Sequence, residues 1–227
     1  MRTLRRVLAA LLVALLAYQG WFLGHVLWWR YNDPGTTRFM EIRLDELRAA
    51  DRRARIAHRW VPYERISIHL KRAVVAAEDD RFVEHEGFDW EAMQKAIEKN
   101  RRKGRMVAGG STISQQLAKN LFLSPAKTPW RKAQEAVITL MLETILTKRR
   151  ILEIYLNVVE WGDGVFGAEA AARHYYGIPA ERLAQDQAAR LAVLLPSPRR
   201  YARMTGSAFL ARHAASIAGR MRNSEVP

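Results

Sequence analysis

A chain of 227 residues can bury a full core as one domain plus an appendage, and without a cysteine it can form neither a disulfide framework nor a thiolate metal site. Lys and Arg number 37 against 23 Asp and Glu, and the formal charge of +14 calls for an anionic partner: nucleic acid, an acidic membrane surface or a phosphorylated substrate. No Walker loop and no dinucleotide-binding glycine pattern is present, so the anion is a substrate group and not a nucleotide.

In chain order the first element is residues 7–29, VLAALLVALLAYQGWFLGHVLWW, free of Asp, Glu, Lys and Arg. As a helix this stretch crosses a hydrocarbon core of about 30 Å. Arg2, Arg5 and Arg6 precede it, which predicts that residues 1–6 form a cytoplasmic tail and that everything beyond Arg30 lies outside. An external domain rarely meets nucleic acid, so membrane and phosphate lead as partners. Residues 7–17 alone have the length of a signal-peptide core, but the apolar run continues to Trp21, Trp28 and Trp29, which suit the far interface, and it reads as an uncleaved anchor.

Residues 30–43 read as a linker with Asn-Asp-Pro-Gly turn chemistry, and residues 44–227 as the folded domain. The domain reads as mainly helical. Residues 44–55 predict a surface helix, and Val61-Pro62 turns the chain into an apolar-periodic helix over 66–77 that runs into Glu78, Asp79 and Asp80. Asp89 caps a helix through Trp90, Met93 and Ile97 to the basic run 99–105, and the whole segment 90–107, with Met106 and Val107, is basic and amphipathic enough to rest on a membrane.

Residues 109–120, GGSTISQQLAKN, place Thr112 and Gln115 at the spacing of a capping box. Thr112, Gln116 and Lys119 then fall within roughly 60° of one another on the helix, with Asn120 beside them. From this stretch alone, a solvated surface helix and a binding face are both open. Thr128-Pro129 is a cap with proline in the first turn, opening a helix over 130–147 that is apolar almost all round from 136 to 146 and so reads as the buried central helix. Residues 151–159 resume an apolar pattern, 161–166 suggest a short hairpin, and further helices are predicted over 168–176, 187–195 and 207–221.

Glu78 follows an alanine-rich helix end, where the helix dipole and burial would both disfavour the ionised carboxylate and raise its pKa into the range useful for acid or base work. An acidic loop paired with Arg81 is the other reading of the same residues. His85 between two glutamates reads as structural, and no histidines show metal-ligand spacing. Arg131, Lys132 and Lys119 together make a cationic site for phosphate, and Glu135, four residues after Arg131, shares its face.

Five segments in order, EDDRFVEHEG at 78–87, GGSTISQQLAKN at 109–120, RKAQE at 131–135, KRRILEIYLN at 148–157 and GAEAAARHYYG at 167–177, resemble the glycosyltransferase family that polymerises peptidoglycan, and its monofunctional biosynthetic members above all. Asp80 and Val83 depart slightly from the first motif. The resemblance implies a lysozyme-like glycosyltransferase domain behind one N-terminal transmembrane helix, acting on lipid II and the growing lipid-linked glycan strand at the bacterial inner membrane, with the catalytic domain in the periplasm. It implies Glu78 as the base that takes the acceptor hydroxyl proton, with Glu135 orienting Arg131 or assisting at the acceptor side. Lys119, Arg131 and Lys132 would hold the leaving diphosphate, and Ser111, Thr112, Gln116 and Asn120 the sugar and phosphate oxygens. It requires no obligatory cofactor, leaves room for a divalent cation such as Mg2+, and admits cell-wall synthesis or division proteins as partners. A lysozyme-like hydrolase and a basic membrane-anchored scaffold are the rival readings.

Overall fold

The computed structural model describes residues 1–105 and 109–227; Met106 and Val107 of the basic amphipathic segment lie outside the described residues. Helix α1 spans Arg2–Trp29 and is long and apolar enough to cross a membrane. Residues 2–18 are exposed, whereas Phe22, Val26 and Trp29 are buried and belong to the main core. Their spacing marks one helical face. That face packs on Phe122, whose ring lies 5.2 Å from Phe22 and 5.0 Å from Trp29. Arg150 secures the helix end, its Nε donating to the Trp29 carbonyl at 2.9 Å and its Nη2 to the Asn32 carbonyl at 2.7 Å. Trp29 is therefore a core residue and not a free interfacial aromatic, a correction to the sequence expectation.

A second correction concerns the linker. Helix α2, Arg38–Ala50, begins within residues 30–43, because Thr37 accepts from the Met40 amide as a cap and Met40 is fully buried. Arg43 adds a bidentate pair to Glu160, Nε to Oε1 at 2.9 Å and Nη2 to Oε2 at 3.0 Å, and so fastens α2 to the domain.

Helix α3, Ile68–Glu78, is capped by Ser67 and buries Leu70, Ala73, Val74, Val75 and Ala76. Helix α4, Trp90–Lys103, is capped by Asp89 and stops at left-handed Gly104. Helix α5, Ile113–Phe122, opens with the capping box of Thr112 and Gln115, both bonds present. Helix α6, Pro129–Ile145, starts on the Thr128 cap, with proline in its first turn. Helix α7, Lys148–Val158, buries every residue from Ile151 to Val158 except Glu153, so α7 and not α6 is the central helix. In α6, Ile138 and Leu142 are buried in the core, but Val137 is 38%, Leu140 53% and Trp130 68% exposed, so the helix is not buried all round.

Strands β1 (Ala57–His58), β2 (Glu160–Gly162) and β3 (Val165–Phe166) form a small sheet, β2 and β3 as the expected hairpin and β1 added in parallel. Two residues are too few for a strand pattern, and β1 was not anticipated. Helices α8 (Ala168–Tyr176), α9 (Gln185–Ala192), α10 (Pro198–Ala202) and α11 (Ala208–Arg220) complete the mainly helical domain, with α9 and α11 packed on α3.

Candidate active site

Glu78 is the last residue of α3, and the loop that follows is tied to the start of α5 at two points. Asp79 Oδ2 accepts from the Ile113 amide at 2.9 Å, and the Thr112 hydroxyl donates to the Gly87 carbonyl at 2.7 Å. His85 braces the loop between them. The Gly87 amide donates to Nδ1 at 3.1 Å, which leaves the ring proton on Nε2 to donate to Asp79 Oδ1 at 2.9 Å. Gly87 has φ +90°, and a Cβ there would stand 2.8 Å from Thr139 Cγ2, so the turn needs glycine on both counts.

These ties hold Glu78 against α5. Gln116 Nε2 donates to Glu78 Oε2 at 2.7 Å, and the Tyr155 hydroxyl, fully buried in α7, donates to Gln116 Oε1 at 3.0 Å. Tyr155 thereby fixes the amide orientation, presenting its NH2 to the carboxylate. Glu78 Oε1 is buried and has no hydrogen-bond partner among the described residues. Burial pushes the Glu78 pKa above its ordinary value, the Gln116 hydrogen bond and the Lys119 charge oppose that rise, and Asp79 adds to it. A buried oxygen with a free lone pair and a raised pKa is a proton acceptor in waiting.

Lys119 lies one turn beyond Gln116, over the Phe39 ring at 5.9 Å, and among the described residues its ammonium has no hydrogen-bond acceptor. Burial lowers its pKa, while Glu135 and Glu78 raise it and Arg131 and Lys132 lower it. In the first turns of α6, Arg131 Nη1 donates to one oxygen of Glu135 and Lys132 Nζ to the other. Lys132 also reaches the Ser111 hydroxyl at 3.4 Å, and Arg131 Nε is buried without a partner among the described residues. Glu135, 3% exposed, has both oxygens paired with cations, an arrangement that positions Arg131 and Lys132.

Two recesses lie beside the hydrogen-bonded Glu78–Gln116 pair, the first lined by Glu78 and the second by Gln116. One of about 340 Å³ is bounded by Glu78, Arg81, Lys95, Ser111 and Thr112. The other, of about 250 Å³, is bounded by Phe39, Gln116, Lys119, Asn120 and Ser197. A third cavity of about 310 Å³ among Tyr175, Tyr176 and Leu194 holds no carboxylate, so the chemistry belongs with the first two. Gln116 and Lys119 share one face, as their spacing predicted. Thr112 borders the first recess, but its hydroxyl is engaged by Gly87 and the cap, and it holds the loop where the polar face expected it to hold substrate. Tyr155, Asp79 and Phe39 escaped sequence reasoning because their links to the site cross helices; only the adjacency of Asp79 to Glu78 hinted at one. Among the described residues no group of three histidine, aspartate or glutamate side chains converges as a metal site.

Residues 45–222 match the transglycosylase family. The chain is 64% identical over 226 residues to a biosynthetic peptidoglycan transglycosylase of Azoarcus sp., covering 100% of this chain and 97% of the relative. It is 61% identical to the protein of that name from Aromatoleum aromaticum, over 98% of this chain and 96% of the relative. A third, from Dechloromonas aromatica, is 60% identical over 100% of this chain and 98% of its own length.

Proposed function

The chain belongs to the transglycosylase family and is a peptidoglycan glycosyltransferase, and from that premise we propose that it polymerises lipid II into β-1,4-linked glycan by inverting transfer at Glu78. The acceptor 4-hydroxyl is a weak nucleophile. As its oxygen attacks C1 of the donor MurNAc, its proton passes to Glu78 Oε1, and the bond from C1 to the phosphate oxygen breaks. Undecaprenyl diphosphate departs as an anion, and it needs positive charge more than it needs a proton. Lys119 meets it, with Arg131 and Lys132 held in place by Glu135. Gln116 and Asn120 bind sugar or phosphate oxygens, and Ser111 does so through its place beside Lys132. A divalent cation, where one takes part, would add positive charge at the diphosphate beside Lys119 and Arg131.

The observation that carries this reading is a buried carboxylate oxygen without a partner among the described residues, whose carboxylate is held by Gln116, one helical turn before the Lys119 ammonium. A hydrolase would need an acid and usually a second carboxylate or activated water, and Glu135 is already bound to two cations. The assay is polymerisation of labelled lipid II by the full chain, with and without chelator. Glu78→Gln should lower turnover by about 10² or more and still bind a diphosphate-lipid donor analogue. Lys119→Ala and Arg131→Ala should slow turnover and also weaken that binding. Cleavage of preformed glycan in place of polymer formation would give the site to the hydrolase.

The same reading places the protein in the cell inner membrane, single-pass, N-terminus in the cytoplasm and catalytic domain in the periplasm, where cell-wall synthesis or division proteins are its partners. The three arginines before the span support it. A reporter fused after Pro227 should be active only in a form that works outside the cytoplasm; activity inside would reverse the orientation.

A further inference from the structure

Between Val7 and Trp29 the chain carries one carboxamide, Gln19. Its Nε2 donates to Gln134 Oε1 at 2.9 Å, and Gln134 Nε2 donates back to Gln19 Oε1 at 3.0 Å. Gln134 is 4% exposed and lies in α6 between Arg131 and Glu135, in the turn that holds the proposed anion site. The catalytic scheme makes no use of this pair. Docking alone does not require it either, since Phe22, Val26 and Trp29 already bury an apolar stripe on the same face.

An amide pair adds register to that docking. Apolar contacts tolerate sliding, whereas a slip of α1 along α6 by one turn, about 5.4 Å, breaks both hydrogen bonds and strands two amides in apolar surroundings. Register in turn sets height. Residues 2–18 of α1 are exposed and go into the bilayer, while Arg131 and Lys132 cannot enter hydrocarbon without a large cost. We propose that the Gln19–Gln134 pair is a depth latch: it fixes the anchor helix against α6 so that Arg131 and Lys132 stand at the headgroup level, where the diphosphate of a membrane-held donor lies. Gln19 and Gln134 are positioning residues, and the inference rests on the reading that Lys119, Arg131 and Lys132 take the diphosphate.

The test uses the full chain in phosphatidylglycerol vesicles with labelled lipid II. Because the chain has no cysteine, Lys127→Cys, at an exposed site just before α6, gives a unique attachment point for a fluorophore. Quenching of that fluorophore by lipids brominated at defined acyl depths reads the height of the helix. In Gln19→Leu and in Gln134→Leu the label should change depth, and KM for lipid II should rise roughly ten-fold with kcat nearly kept. Bridging a Gln19→Cys/Gln134→Cys variant with a short bis-maleimide should restore the parental KM. An unmoved label, or a fall in kcat and melting temperature at unchanged KM, overturns the latch and leaves an ordinary structural contact. Arg131→Ala is run beside these variants. If it polymerises with parental KM, the diphosphate reading fails and the purpose of the latch with it, whereas an unmoved label sinks the latch alone.

Discussion

Two residues with pKa values displaced toward each other set the working range of the site. Burial raises Glu78 and lowers Lys119, and the proposed mechanism needs Glu78 ionised to accept a proton and Lys119 charged to meet the diphosphate. The acid limb of kcat/KM against pH should therefore lie above the usual carboxylate range, and the alkaline limb below the usual lysine range. Gln116→Leu removes the hydrogen bond that favours ionised Glu78, so it should push the acid limb higher still; a limb that stays put would detach Gln116 from the base. Stability follows with the opposite benefit. Below the ordinary Glu value of 4.5 the carboxyl is protonated folded and unfolded, and above its raised folded value the fold carries the full penalty of a buried charge. Relative to Glu78→Gln, the parent should lose melting temperature as pH rises through that window. The placement of Glu78 was legible in the sequence, as a carboxylate at an alanine-rich helix end. Its free oxygen was not, because that depends on Tyr155, 39 residues beyond Gln116, steering the amide that occupies the other oxygen.

Among the elements, those with explicit start signals were legible and those decided by tertiary contact were not. Thr112 with Gln115, Asp89, and Thr128 before Pro129 each opened a helix where the side-chain chemistry predicted it. Helix α2 hid inside a supposed linker because its polar sequence is held by one buried methionine and one arginine whose partner lies 117 positions away. Helix α6 looked central because apolar residues facing the anchor and apolar residues facing a core carry the same pattern. Both misreadings concern helices that touch the site, so their ties are testable there. Arg43→Met leaves Glu160 buried without its cation and should cost about 3–5 kcal/mol of stability, whereas Thr112→Val, which loses the cap and the Gly87 tether, should cost about 1–2 kcal/mol. Denaturant titration of the two variants orders them. An Arg43→Met loss no larger than that of Thr112→Val would mean that α2 is fastened by Met40 alone.

For the whole molecule, the long apolar helix is part of the architecture, because α1 lends Phe22, Val26 and Trp29 to the core. A variant lacking the anchor would be a damaged domain, so membrane contacts elsewhere must be tested on the full chain. Helix α4 is the place to look. Trp90 and Ile97 are 70% and 61% exposed, Phe88 stacks on Trp90 at 5.5 Å, and Arg101, Arg102 and Lys103 stand exposed in its last turn. Aromatic and aliphatic groups beside a run of cations suit an anionic headgroup layer, where each basic residue near the surface contributes about 1 kcal/mol. A water-exposed helix with a solvated basic end would carry the same residues and show no preference among lipids. Polymerisation of lipid II should accordingly have a lower KM in phosphatidylglycerol than in phosphatidylcholine vesicles, and the difference should shrink as salt screens the attraction. Reversing Arg101, Arg102 and Lys103 to Glu should abolish that difference and leave kcat unchanged, because none of the three borders the recesses around Glu78. If the reversed variant keeps the parental ratio of KM between the two lipids, α4 faces water, and the docked end of α1 with its neighbours on α6 holds the domain to the membrane alone.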